Sequence, residues 1–175
     1  MASNKTKIVL DADVIIHFLK GDSFKKLIDI FPEYQYLILD VVYTELSKHL
    51  DTKVLIDKYT HFFSSRVTQI RFTPTGEMMK EYAKLIKTLG KGESACMTYC
   101  GYNQDVLGSS NLRDIKDYCE EHGITYLTTL DFLYYAFVRK LMTKEECDSF
   151  ILQVNAMGSK LPKVDISQYR CTVII

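Results

Sequence analysis

Short apolar runs alternate along the chain with segments whose apolar residues recur at helical spacing. Residues 7–10 read as a strand, followed by helical segments through Phe31. Tyr36-Leu37-Ile38-Leu39 is a second apolar run, and Val41-Val42-Tyr43-Thr44-Glu45-Leu46 continues from it with helical spacing. Residues 67–72 alternate as a strand does. Pro74 then suits the first position of a helix capped by Thr73, with Met78, Tyr82, Leu85, Ile86 and Leu89 on its apolar face. Gly90-Lys91-Gly92 ends that helix, and Glu93 opens the next. Val106-Leu107 and Thr125-Tyr126-Leu127 are short strands separated by a helix over residues 112–122, which Gly123 stops. Thr143-Lys144-Glu145-Glu146 has the form of a capping box and starts a last helix that runs to about Met157.

Strand and helix in alternation predict an α/β fold of three layers, α/β/α, around a central parallel sheet. Residues 1–158 form one domain on this reading, and residues 159–175 form a tail. The end of that tail, Cys171-Thr172-Val173-Ile174-Ile175, is apolar enough to pack on the domain or on a partner. In such a sheet ligands bind beyond the carboxyl ends of the strands.

Acidic residues fall at those junctions. Ile8-Val9-Leu10-Asp11-Ala12-Asp13-Val14-Ile15-Ile16 places two acids inside an apolar run, where an acid is costly unless it is paired or binds a cation. Glu45 follows the second strand by little more than a helical turn, and Glu93 stands at a glycine turn. Taken singly, Glu45 and Glu93 suit helix starts, where acids complement the dipole. Taken together with Asp11 they form a set of oxygen donors fitted to a hard divalent cation, with Asp13 beside them. Such a cation orients a water, lowers its pKa and neutralises charge on a scissile phosphate.

These segments resemble the motifs of PIN-domain proteins, a nuclease family that includes many bacterial toxin ribonucleases. The run from Ile8 to Ile16 resembles the family's opening motif, and Val41-Val42-Tyr43-Thr44-Glu45-Leu46 its second acidic motif. Gly90-Lys91-Gly92-Glu93-Ser94-Ala95 resembles the third, and residues 106–123 the strand and helix that carry the fourth acid. The likeness spans roughly residues 7–157. It implies a PIN-like fold and a metal-dependent ribonuclease that uses Mg²⁺ or Mn²⁺, with Asp11, Glu45 and Glu93 as metal-ligating, catalytic acids. It also implies RNA as substrate and, from the toxin branch, an antitoxin-like protein partner.

The fourth position departs from the pattern. Where the family carries an aspartate, commonly in Thr-Asp-Asp, this chain reads Ser109-Ser110-Asn111. Asn111 brings an amide oxygen but no charge; Ser110 and Asp114, the latter one helical turn further on, are accessory candidates. The alternative reading is therefore a PIN-like domain without turnover that binds nucleic acid or protein. An exposed apolar groove near Phe18, Leu27 and Phe31 would favour a protein partner. A phosphate-accepting receiver domain also carries acids at strand ends, but its aspartate on a middle strand and later lysine have no match here.

Composition adds limits. With 22 basic and 22 acidic residues the chain has no net charge, so nothing points to a charge-driven, sequence-independent grip on nucleic acid. Lys20, Lys48, Lys91, Arg113 and Lys116 lie near the motif ends and suit either phosphates or solvent. Cys96 and Cys100 are one turn apart, yet no second pair or neighbouring histidine completes a zinc site, and the five cysteines read as free thiols in a reducing compartment. The opening Met1-Ala2-Ser3-Asn4-Lys5-Thr6-Lys7 lacks the apolar stretch of a signal peptide, and no run is long enough to cross a membrane, so the expected setting is cytoplasmic. Symmetric pairs dominate among oligomers, which makes a homodimer the default expectation.

Overall fold

The computed structural model describes residues 6–175; the segment read above as lacking a signal peptide lies mostly outside them. The first half of the chain runs β1 (Lys7–Leu10), α1 (Ala12–Lys20), α2 (Phe24–Ile30), β2 (Gln35–Leu39), α3 (Asp40–Leu46), α4 (Leu50–Phe62) and β3 (Val67–Ile70). The second half runs α5 (Gly76–Leu85), α6 (Lys91–Asn103), β4 (Val106–Gly108), α7 (Leu112–His122), β5 (Tyr126–Leu127), α8 (Thr129–Val138) and α9 (Lys144–Ala156).

The strands of the described residues form one parallel sheet in the order β3-β2-β1-β4-β5, and helices flank it to give three layers, α/β/α. β1 is central, and Ile8, Val9 and Leu10 have no exposed surface, as expected of a parallel strand covered on both faces. The chain winds outward from β1 through β2 to β3, then returns to lay β4 against the other side of β1. The carboxyl ends of β1 and β4 therefore meet at the topological switch point, the crevice where open sheets of this kind bind ligands.

Helix packing follows from the apolar stripes. α6 is buried along most of its length, with Ala95, Cys96, Met97 and Cys100 inside, and it touches α3, α5 and α7. α1 packs on α2 and α9, and its Phe18 ring lies 5.0 Å from Phe150 of α9 and 6.2 Å from Phe132 of α8. Phe18, Leu27 and Phe31 are wholly buried, so the exposed apolar groove that would have favoured a protein partner is not formed by these side chains, which fill the core against α8 and α9.

Two helix starts differ from the sequence reading. α5 begins at Gly76 with Thr75 as its N-cap, not at Pro74 behind Thr73. Gly76 takes φ +56°, in the left-handed region, which breaks any right-handed helix arriving from Pro74. α5 also ends at Leu85, leaving Ile86 and Leu89 in the turn beyond it. α6 begins at Lys91 with Gly90 as N-cap, so Glu93 occupies its third position instead of opening it. The capping box of α9 forms as read, with Thr143 Oγ1 accepting from the Glu146 N–H and Glu146 accepting from the Thr143 N–H.

Residues 159–175 lie against this body. Leu161 and Ile166 are buried, the Tyr169 hydroxyl donates to Asp131 Oδ1 (2.8 Å), and the Tyr135 hydroxyl donates to the Val173 carbonyl. Among the described residues no helix is long and apolar enough to cross a membrane.

Candidate functional site

At the switch point the chain leaves β1 directly into α1, and Asp11 is the N-cap of that helix: its Oδ1 accepts from the Ala12 N–H at 2.8 Å. The parallel register puts Leu10 opposite Gly108, and the Asp11 N–H donates to the Gly108 carbonyl. Ser109, next on the β4 side, then donates its hydroxyl to Asp11 Oδ2 (3.2 Å). One residue further on, the Ser110 N–H donates to Asp13 Oδ2 (2.8 Å), while the Val14 N–H holds Asp13 Oδ1. The segment after β1 and the segment after β4 are thus tied together by three hydrogen bonds, from Asp11 to Gly108, from Ser109 to Asp11 and from Ser110 to Asp13.

α6 brings the third acid. Glu93 is nearly buried, and its Oε1 accepts from Asn111 Nδ2 (2.9 Å), which also donates to Asp114 Oδ2 (2.8 Å). Asp114 therefore reaches the cluster from one turn along α7. Glu45 approaches from α3, with its Oε2 directly over the Cα of Gly92. Its side chain is exposed and has no hydrogen bond among the described residues.

The electrostatics match this crowding. Burial, then the charge of Asp13, pushes the Asp11 carboxyl well above the usual carboxylate range, and Glu93 adds to it. Asp13 is raised by burial, against the downward pull of its hydrogen bonds from Ser110 and Val14, and Glu45 raises it further. Glu93 is pushed up to about 7 by burial and by the charges of Asp114, Asp13 and Glu45, against the pull of the Asn111 bond. These acids sense one another across the edge of the sheet and lack a compensating cation among their main neighbours. Among the described residues, however, no three Asp, Glu, His or Cys side chains stand close enough to hold a metal ion as they are. The carboxylates are neighbours whose side chains do not yet converge.

Ser109 is the residue that sequence reasoning missed. The signal was present: Ser109 follows directly on a strand that pairs in parallel with β1, so it must stand beside Asp11. Asp131, by contrast, belongs to the α8 capping box: its Oδ2 accepts from Thr128 N and Oγ1. Lys20 donates to Ser159 Oγ and Lys116 pairs loosely with Glu120, whereas Lys48 and Lys91 flank Glu45 in a cavity of about 530 Å³. A second cavity, also about 530 Å³, opens on the other side of the acids and includes Asp13, Ser110 and Asn111 in its wall. His17 lies there; its Nδ1 pairs with Thr129 Oγ1 (2.9 Å), and burial followed by the Lys20 charge lowers its pKa to about 4, so it is neutral at pH 7. Cys96 and Cys100 are buried free thiols whose pKa burial pushes well above the ordinary value.

No protein-family model and no curated protein matches the sequence. Solved structures do match the fold. The chain is similar to one in the crystal structure of VapBC2 from Rickettsia felis bound to a DNA fragment from their promoter, with a TM-score of 0.51 at 14% identity. That match covers 70% of this chain and 98% of the other. A second is the crystal structure of DNA-bound VapBC from Salmonella typhimurium, with a TM-score of 0.52 at 14% identity, covering 71% of this chain and 99% of that one. The fold is PIN-like.

Proposed function

We propose that the chain is a metal-dependent ribonuclease that hydrolyses phosphodiester bonds of RNA at the carboxyl edge of β1 and β4. The observation that carries this reading is the set Asp11, Asp13 and Glu93: three acids at the switch point whose carboxyls are all raised, by burial first and then by the charges of neighbouring acids that include Glu45 and Asp114. A buried acid cluster of this kind costs stability unless a cation joins it. The donor set is all oxygen, which suits Mg²⁺ or Mn²⁺. Asp11, Glu45 and Glu93 would hold the ion, with Asn111 Oδ1 as a neutral fourth donor and Asp13, Ser110 and Asp114 around them. Glu45 is free to turn inward because no described residue hydrogen-bonds or pairs with its carboxylate.

When bound, the ion would supply an activated water and offset charge on the phosphate. The protein's own contribution is placement. Ser109 and Ala12 N–H fix both oxygens of Asp11, and Asn111 Nδ2 fixes Glu93 and Asp114. Lys48 and Lys91, in the cavity beside Glu45, would meet the backbone phosphates of a strand entering from that side. Calorimetric Mn²⁺ titration of wild type and Asp11→Asn, with single-stranded RNA cleavage in the same buffer, tests the reading. Binding and cleavage both lost in the variant are expected; a wild type that takes up no Mn²⁺ at millimolar concentration and leaves RNA intact would refute it.

A second reading has its own observation. Asn111 lies in the stretch that the resemblance would assign to a fourth carboxylate, and its NH₂ group donates to two acids, partly offsetting their charge without a metal. A PIN-like domain without turnover, binding nucleic acid or protein, would look the same. The VapBC structures support an antitoxin-like protein as partner under either reading. A homodimer and a cytoplasmic setting complete the proposal.

A further inference from the structure

The second cavity beside the acids has a wall that the tail builds. Lys160, Leu161, Pro162 and Tyr169 of the tail line it together with Leu112 and Leu130 of the domain. We propose that this cavity is the subsite for one nucleobase of the RNA strand, held between apolar faces from Leu112, Leu130, Leu161 and Pro162 and read at its edge by His17 and Tyr169. The proposal rests on the ribonuclease reading above and gives it a source of sequence preference.

Three observations carry it. The first is position: the cavity shares Asp13, Ser110 and Asn111 with the acid cluster, so a base lodged there puts its own phosphate at the carboxylates. The second is size. A volume of about 530 Å³ falls within the roughly 300–1,000 Å³ of small-ligand sites, whereas an α-helix about 10–12 Å across has no room there. The third is chemistry. Among the described residues of the wall Asp13 and Lys160 alone are charged, on an otherwise apolar and neutral-polar lining, which suits a flat uncharged ring better than a phosphate.

The wall is also held in place. Asn155 clamps Leu161 twice, accepting from its N–H at 2.7 Å and donating to its carbonyl at 3.0 Å. Ile166 is buried, and the Tyr169 hydroxyl is fixed on Asp131 Oδ1. On the opposite side His17 is held through Nδ1 on Thr129, which itself pairs with Ser110 Oγ (2.7 Å). No described residue bonds His17 Nε2, which leaves that nitrogen for a base. A cavity with both walls fixed loses little entropy on binding.

The test is methyl NMR of the metal-free protein, titrated with each of the four nucleoside 5′-monophosphates at millimolar concentration. Saturable shifts of the Leu112, Leu130 and Leu161 methyls are expected, strongest for one base. Leu112→Trp, at a half-exposed position, and Pro162→Trp should each weaken binding by about tenfold or more. Methyls that ignore all four nucleotides, or that respond equally in both tryptophan variants, would overturn the subsite. Cleavage of RNA by a protein whose methyls do not respond sinks the subsite alone; methyl titration without cleavage in the wild type sinks the ribonuclease reading and leaves the subsite standing.

Discussion

Gly92 lies directly beneath the Glu45 carboxylate: a Cβ at position 92 would stand 2.8 Å from Glu45 Oε2 and 3.4 Å from Val42 Cγ2. Glycine inside a helix is destabilising by roughly 0.5–1 kcal/mol relative to alanine, so its presence in α6 is explained by that approach and not by helix stability. The atom in the way is the far end of a flexible side chain, which can move. Gly92→Ala should therefore be as stable as wild type or up to about 1 kcal/mol more stable in urea, while Mn²⁺ affinity and RNA cleavage both fall. A variant of undiminished activity would show that Glu45 has no fixed post in the site.

Stability of the metal-free protein should depend on pH with a sign set by Glu93. The unfolded chain releases this proton near the ordinary 4.5, and the folded chain holds it to about 7 because of burial and then the Asp114 charge. Between those values the folded state binds more protons, so its stability falls as pH rises. Asp11 and Asp13, also raised, act in the same direction. His17 acts in the opposite one: held at about 4 against 6.5, it leaves the extra proton on the unfolded chain and its contribution is lost as pH falls through that window. The two trends offset each other, so the readout is a difference. With chelator present, the urea midpoint of Glu93→Gln should decline less than that of wild type from about pH 5 to about pH 7.5; parallel profiles would contradict the raised carboxyl.

Asn111 separates the two functional readings. Asn111→Asp removes the amide that donates to Glu93 Oε1 and Asp114 Oδ2 and adds a third charge among them. Without metal the variant should be less stable than wild type at neutral pH, since repulsion replaces two hydrogen bonds. With metal the order should reverse, because each added ligand charge tightens a hard-cation site. The expected gain is on the order of tenfold in Mn²⁺ affinity, about 1.4 kcal/mol, with faster cleavage. A variant destabilised with and without Mn²⁺ would argue that the position serves structure alone.

The elements legible in the sequence are those with local chemistry at their ends. β1 is bounded by Asp11, α7 by Gly123 in the left-handed region at φ +63°, and α9 by its capping box. α4 left no such trace: Leu50 and Phe62 are 72% and 75% exposed and only Ile56 is buried, so no apolar stripe marks the helix. Phe18, Leu27 and Phe31 misled for the complementary reason, since an apolar helix face looks the same whether it lines a groove or meets Phe132 and Phe150. In the candidate site, the neighbourhood of Asp11, Asp13, Glu93 and Asn111 followed from parallel strand order. What the order of motifs does not contain is the direction of each side chain: Glu45 lays its exposed carboxylate against Gly92, and Asn111 presents its NH₂ group to the acids.

The same substitution that is cheap at Gly92 should be costly at Gly21. A Cβ at position 21 would lie 2.2 Å from Phe150 Cδ2, inside the ring that α9 lays on the end of α1. The glycine is not required by its backbone, whose φ of −81° suits any residue. Nor can the ring simply step aside, since Phe18 packs on it at 5.0 Å and Phe150 is nearly buried. Gly21→Ala should cost about 1–3 kcal/mol by overpacking, read as a lower urea midpoint with an unchanged slope. The clash, if it is the cause, is relieved by shortening the ring. Gly21→Ala combined with Phe150→Leu should therefore lose less than the sum of the single losses, a coupling of roughly 0.5–3 kcal/mol. Strict additivity would assign the cost to the α1 terminus itself. RNA cleavage should be unaffected by Gly21→Ala below its melting temperature, because neither residue touches the acids; Gly92→Ala should behave in the reverse way, stable and impaired.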